Sequence, residues 1–291
     1  MNTNILTAIA NVVSSPAVPL SSFYESRNRM NNMGEALENY IKDAFAGTLA
    51  HKNEQERITT FENVFSYLGN QNNPPDIIIK NGDAIEVKKI ESAGASLALN
   101  SSYPKAKLFA DSPMVTSACR SCESWDEKDI IYAVGVVDGS SLSKLFFVYG
   151  VDYAASANIY ERIKTVISSG VNSIPDVEFV ATNELGRVNR VDPLGITYFR
   201  IRGMWGITNP ARVFSYVYTP TNAEFELTAI INNEKYYSFS EEQRLQFESL
   251  MNTNYNFNDG TSHKCEIKDI RIKTPDNPSV LRQAKLITFS R

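Results

Sequence analysis

The chain is poor in the residues on which several enzyme classes depend. Among 291 residues there are two histidines, His51 and His263, and three cysteines. So few histidines make a His-based nucleophilic triad improbable, and the low cysteine count suits a reducing, cytoplasmic setting. No apolar run is long enough to cross a membrane. Ile5 to Val13 is apolar, but no positive residue precedes it, so it predicts a short first helix and not a signal peptide. P-loop and dinucleotide-type glycine fingerprints are both missing, so ATP-driven action is not indicated. No Gly/Ser-rich or Pro-rich linker and no internal repeat divides the sequence, which favours one core over 1–291. An excess of basic residues is missing too: the net charge is −4, with 43% hydrophobic and 21% charged residues, the composition of a soluble globular protein.

What is present concentrates between Pro75 and Lys88. Ile77 to Ile79 and Ala84 to Val87 read as buried strands, and Asn81-Gly82 between them is a strong hairpin signal. Side chains alternate along a strand, so Glu86 and Lys88 share one face while Ile85 and Val87 take the other. Loop length then decides whether Asp76 joins them. A two-residue turn would pair Asp76 with Val87 and separate the acids. A three-residue loop, Lys80 to Gly82, with the positive φ on Gly82, pairs Asp76 with Glu86 on one face, and this is the expectation. Two carboxylates about 5 Å apart repel by roughly 3 kcal/mol at an effective dielectric of 20. A divalent cation removes that repulsion, and oxygen ligands with open water positions suit Mg²⁺. Lys88 brings a compact positive charge to steady a phosphate or orient water. The plainer alternative is that Glu-x-Lys is the solvated face of an amphipathic strand and Pro-Asp an ordinary turn.

A third acid lies upstream. Leu37, Ile41, Ala44 and Phe45 recur at helical spacing. Glu38 borders that face, with Glu35 one turn earlier; the competing use of Glu38 is an i,i+4 pair with Lys42. A helix glutamate, then Pro-Asp, nine intervening residues, then Glu-x-Lys resembles the PD-(D/E)xK nuclease superfamily. More narrowly, Gly69 to Asp76 (GNQNNPPD), Gly82 to Ser92 (GDAIEVKKIES) and Leu99 to Lys105 (LNSSYPK) resemble type II restriction endonucleases of the NgoPII type. The similarity runs from Ser22 through the strand Lys128 to Val137. It implies an α/β fold of the restriction-endonuclease kind: a mixed central sheet flanked by helices, with an elaborated DNA-recognition region. It also implies a homodimer, Mg²⁺-dependent cleavage of a palindromic duplex with GGCC as target, and a cognate methyltransferase acting on the same site. By the same resemblance Asp76, Glu86 and the Val87 carbonyl become metal ligands, Lys88 the catalytic lysine and Glu38 the helix acid.

The acidic net charge argues against nucleic acid only if charge is evenly spread. It is not. Arg187 to Arg212 holds five arginines against one acid, and Thr261 to Arg291 holds seven basic residues against three acids. Reading G·C pairs calls for Arg donors to guanine and an acceptor for cytosine N4. Arg187, Arg190, Arg200 and Arg202 supply donors, Arg200 and Arg202 from one strand face, and Asp192 or Glu184 supplies the acceptor. Lys89, Asn100, Ser101, Ser102 and Lys105 are candidates for backbone contacts that position the duplex.

The predicted order is helix 33–46, helix 56–66, hairpin 76–89, a helical or irregular stretch 93–122, strands 129–137 and 144–151, helix 157–168, and strands near 177–182 and 196–202. Residues 209–218 are ambiguous. A hairpin over 224–239 turning at Asn232-Asn233, a helix 240–251 and strands 264–273 and 284–290 complete it. The catalytic core is expected over about 22–170 and the recognition and C-terminal sheet region over about 171–291. Cys119 and Cys122, with His263 and Cys265, offer four soft ligands for a structural zinc ion. The spacing of the second pair is unusual for that role. Two rival functions stand beside the restriction enzyme: a repair or junction-resolving nuclease, and a non-catalytic DNA-binding module whose acidic hairpin is structural.

Overall fold

The computed structural model describes the chain except residues 1–2, 16–19, 21–32, 52, 71–72, 100, 181, 183, 252–254, 257–261 and 264, with backbone alone at 70, 255–256 and 262–263. Among the described residues the first helices are α1 (Ile5–Ser14), α2 (Met33–Ala46) and α3 (Glu54–Val64). Asn4 caps α1 and Asn53 caps α3, each side chain accepting from two backbone amides of the first turn. The strands β1 (Phe65–Asn70), β2 (Asn73–Ile79) and β3 (Ala84–Ile90) follow, then the short β4 (Leu97–Ala98) and β5 (Lys107–Phe109). After α4 (Ser117–Arg120) come the long strands β6 (Glu127–Asp138) and β7 (Ser141–Tyr149), and then α5 (Gly150–Tyr153) and α6 (Ala157–Asn172). A small sheet of β8 (Glu178–Phe179), β9 (Gly186–Asn189) and β10 (Phe199–Ile201) precedes β11 (Gly206–Ile207) and α7 (Pro210–Val213). The chain closes with β12 (Glu226–Asn232), α8 (Asn233–Ser238), α9 (Glu241–Met251), the β13–β14 pair (Tyr255–Asn256, Ser262–His263), β15 (Cys265–Lys273) and β16 (Leu281–Ser290).

Among the described residues the central sheet has nine strands, running β1-β2-β3-β6-β7-β12-β16-β15, with β5 added against the start of β6. It is mixed: β3–β6 and β7–β12 pair in parallel, the other neighbours antiparallel. Alternation along the strands splits the apolar residues between two cores. Ile77, Ile85, Ile131 and Phe147 face α1, α2, α8 and α9, while Ile78, Ala84, Val134 and Val148 face α4, α5 and α7. A sheet covered by helices on both faces is the expected restriction-endonuclease-like architecture. The C-terminal strands complete the same sheet as the hairpin, joined to it through β12 and β7. Among the described residues, no helix is long and apolar enough to cross a membrane.

Three local expectations need correction. The second helix ends at Val64, and Phe65–Asn70 is an edge strand that pairs antiparallel with β2. The strands foreseen near 177–182 and 196–202 shrink to Glu178–Phe179 and Phe199–Ile201. The hairpin foreseen over 224–239 does not form. Asn232 caps a helix instead, its Oδ1 accepting from the Lys235 amide at 2.9 Å, and Tyr236 on that helix is fully buried. The ambiguous 209–218 stretch holds a single helical turn, which Asn209 caps and Pro210 opens.

Candidate active site

The β2–β3 hairpin sets the site. Its pairing runs Ile77 to Ile85 and Ile78 to Ala84, and continuing by one residue puts Asp76 opposite Glu86. The loop is the three residues Lys80 to Gly82, closed by the Ile79 amide on the Asp83 carbonyl (3.0 Å) and the Gly82 amide on the Ile79 carbonyl (2.9 Å). The positive φ falls on Asn81 (53°), not on Gly82 as expected; asparagine tolerates this region through local hydrogen bonding. The Asn81 amide is held by Glu123 at 3.0 Å, and the Gly82 carbonyl by Lys128 at 2.8 Å.

Asp76, Glu86 and Lys88 line one cleft of about 220 Å³, together with Ser101, Lys105 and Tyr132. Asp76 Oδ2 accepts from the Val87 amide at 2.6 Å. The N–H and C=O of one residue leave an extended strand on the same side, so the Val87 carbonyl is turned toward β2 as well. Glu86 Oε1 accepts from Lys88 Nζ at 2.6 Å, while its Oε2 is buried and has no hydrogen-bond partner among the described residues. A buried carboxylate oxygen left bare is costly unless something fills the gap. Burial and the neighbouring Glu86 push the Asp76 carboxyl up to about 8, against the opposing pull of Lys88 and the Val87 amide. Burial lowers Lys88, but Glu86 and Asp76 outweigh it and its affinity for its proton rises. For Lys105 burial wins and the shift is downward.

The donor set fits a hard divalent cation: two carboxylates with one bare oxygen, a carbonyl beside them, and room in the cleft for water. No group of three His, Cys, Asp or Glu residues assembles among the described residues, so the protein's share is these few oxygens. Glu38 stands apart. It pairs with Lys42 at 2.6 Å and reaches Asp76 only as the smallest of the charges acting on it. Glu35 is exposed.

A family profile described as NgoPII restriction endonuclease matches residues 3–268. The chain is also 50% identical over 288 residues to the type II restriction enzyme NgoPII of Neisseria gonorrhoeae, spanning 98% of this chain and 99% of that protein. The chain belongs to the NgoPII restriction endonuclease family. No solved structure matches it. As an NgoPII-family enzyme it is a type II, site-specific deoxyribonuclease, as the resemblance of its hairpin strings implied.

The remaining candidate residues of this NgoPII-family chain separate into groups. Lys105 lies in the cleft with the hairpin residues, and Ser101 and Ser102 line both this cleft and an adjoining one of about 120 Å³ that reaches Glu184 and Arg202. Lys89 points to the other face of β3 and pairs with Glu91 at 3.2 Å. Asn100 lies outside the described residues. Arg187 stacks over Tyr198 at 5.3 Å and donates to Asn189, and Arg190 approaches Glu178 at 3.6 Å. Arg200 donates twice to Glu184, at 2.9 and 2.5 Å, and Arg202 once at 2.6 Å. These hydrogen bonds hold the Glu184 carboxyl down at about 2. Asp192 accepts from its own loop, from the amides of Leu194 (3.0 Å) and Thr197 (2.6 Å), so its oxygens serve the turn first.

The four zinc candidates are not gathered. Cys119 and Cys122 belong to the core under α4, whereas Cys265 is buried in the core on the opposite sheet face. All three are free thiols, and burial pushes Cys119 and Cys265 up to about 12. The His263 side chain lies outside the described residues. Sequence reasoning overlooked Tyr132, whose hydroxyl takes the Lys105 amide at 2.7 Å and donates to the Lys105 carbonyl at 3.2 Å. Its one signal was position: it alternates with Ile130 and Val134 on the face that carries the cleft.

Proposed function

We propose that this NgoPII-family enzyme cuts double-stranded DNA at GGCC in the presence of Mg²⁺, leaving 5′-phosphate and 3′-hydroxyl ends, and that it works as a homodimer on a two-fold target. The observation that carries the reading is the meeting of Asp76, Glu86 and Lys88 in the lining of one cleft, with one Glu86 oxygen buried and bare of hydrogen-bond partners among the described residues. Asp76, Glu86 and the Val87 carbonyl would hold the ion. A bound divalent cation supplies an activated water and counter-charge for the phosphate.

The chain's own groups do the rest. Glu86 holds Lys88 by one oxygen, which aims the ammonium into the cleft where a phosphate arrives. Lys88 then stabilises the negative charge that grows on the phosphate oxygens as water attacks phosphorus and the bond to the 3′ oxygen breaks. The Val87 amide fixes the orientation of Asp76. Glu38 contributes its charge at a distance. Arg200 and Arg202, with Arg187 and Arg190, donate to guanines and phosphates, and Glu184 positions the first two until DNA engages them. A methyltransferase acting on the same sequence would protect the host's own sites.

Incubation with plasmid and Mg²⁺, followed by sequencing of the ends, tests this. Cuts confined to GGCC with 5′-phosphates are expected. Cuts at branches or lesions would instead indicate a repair nuclease, and binding without any cleavage a DNA-binding module. Glu86→Gln is expected to slow cleavage by about 10²–10³-fold, the scale of losing one charge-stabilising group, with duplex binding retained. Substantial nicking by that variant would remove Glu86 from the reaction.

A further inference from the structure

Lys88, the lysine of the Glu-x-Lys motif, is already answered by Glu86 at 2.6 Å. Lys105 lines the same cleft and is not. It is only 9% exposed, and its ammonium makes no hydrogen bond or ion pair with any described residue; Glu86 and Glu161 attract it from beyond ion-pair distance without offsetting its burial, and the face of Tyr103 lies beside it, 4.7 Å from the ring centre. Tyr103 is itself fixed, stacked on Tyr160 at 5.1 Å and meeting Trp205 edge-on at 6.1 Å.

The backbone beneath this lysine is held as firmly as that of a structural residue. Tyr132 binds both the amide and the carbonyl of Lys105 from the floor of the cleft. Gly150, the first residue of α5, lies so close to the carbonyls of Lys105 and Ala106 that a Cβ there would collide with both. A rigid, buried cation with no carboxylate in ion-pair contact is unfavourable in the free protein. The arrangement makes sense when a ligand brings the missing anion, and the anion that a deoxyribonuclease receives in this cleft is a phosphate of DNA.

We propose that Lys105 is a second phosphate-binding lysine of the cleft, donating to a non-bridging oxygen of the phosphodiester while Tyr103 covers its other side. This rests on reading the Asp76–Glu86–Lys88 cleft as the place of cleavage. It divides the labour between two lysines. Lys88, oriented by Glu86, serves the reacting centre, and Lys105 holds the phosphate in place. Ser101 and Ser102, on the shared rim of the two clefts, continue the same backbone-binding surface toward Arg202.

The test compares wild type, Lys105→Met and Lys105→Arg, using the full chain and a short GGCC duplex with Ca²⁺ in place of Mg²⁺. Binding is followed by fluorescence anisotropy across a salt series, and thermal midpoints are measured in parallel. One lost phosphate contact reduces the magnitude of the slope of log K against log salt by about 0.9. Lys105→Met is expected to show that reduction with an unchanged or raised midpoint, because a buried charge that its distant carboxylates do not offset has gone, and Lys105→Arg to recover the slope. Equal slopes in all three proteins overturn the proposal, as does a lost slope that arginine does not recover. Failure of wild type to bind the duplex overturns it together with the nuclease reading. A slope change in a wild-type protein that binds but does not cut plasmid with Mg²⁺ keeps Lys105 as a phosphate ligand and removes the cleavage reading alone.

Discussion

Buried beside Glu86, Asp76 keeps its proton up to about pH 8, far above the usual carboxylate range. The consequence for stability has a definite sign. Between about pH 4 and the raised value, the folded chain binds a proton that the unfolded chain has already lost, so folding weakens as pH rises through that window. Asp76→Asn removes the titrating group. In the absence of divalent ions its thermal midpoint is expected to exceed that of wild type near the top of the window, with the difference shrinking toward acid pH. A constant difference would show that Asp76 does not carry the shift. Mg²⁺ competes with the same proton, so its stabilisation of wild type should grow with pH. Glu38 keeps both of the uses the sequence offers: it pairs with Lys42 four residues on, and its charge acts on Asp76 and Lys88.

The hairpin is the element on which the site depends, and its far end is secured by a second charge network. Lys235 donates to Asp83 at 2.6 Å and to Asp129 at 2.7 Å, and the Tyr149 hydroxyl donates to the other Asp83 oxygen at 2.8 Å. Together with Glu123 and Lys128 on the turn, these contacts keep β2 and β3 in the register that sets Asp76 across from Glu86. Lys235→Met leaves Asp83 buried without its cation, and a loss of about 3–5 kcal/mol in urea unfolding is expected; a loss under about 1 kcal/mol would mean that the network does not secure the hairpin. This register was legible in the sequence because alternation and the Asn-Gly turn are local. The 224–239 region was not, because Asn232-Asn233 reads equally as a turn or a helix cap. What decides between them is distant: β12 pairs with β7 and β16, neither of which adjoins it in sequence. The edge strand Phe65–Asn70 was missed for a like reason, since its partner β2 supplies the pairing and its own six residues carry no clear alternation.

At the scale of the whole molecule, a chain of net charge −4 distributes its charge unevenly, which would let it offer DNA a basic surface. The arginines of β9 and β10 gather on a small separate sheet, and the cleft containing Glu184 and Arg202 shares Ser101, Ser102 and Lys105 with the cleft that the hairpin lines. The clustering of arginines was visible in the sequence. Their capture by Glu184 was not, because the partners are 16 and 18 residues apart and meet only through the fold of the small sheet. A bidentate arginine contributes about 1–3 kcal/mol of discrimination at its base pair, so Arg200→Ala is expected to relax cleavage selectivity roughly ten- to hundredfold at one position of the site. Unchanged selectivity would withdraw Arg200 from base reading. The claim on which everything rests is that Asp76 and Glu86 share one divalent ion, and crystals of the enzyme with duplex and Mn²⁺ measure that directly by anomalous scattering. A peak is expected within coordination distance of both carboxylates, on the side of the bare Glu86 oxygen. A peak elsewhere, or none in crystals of an enzyme that still cuts with Mn²⁺, would contradict it.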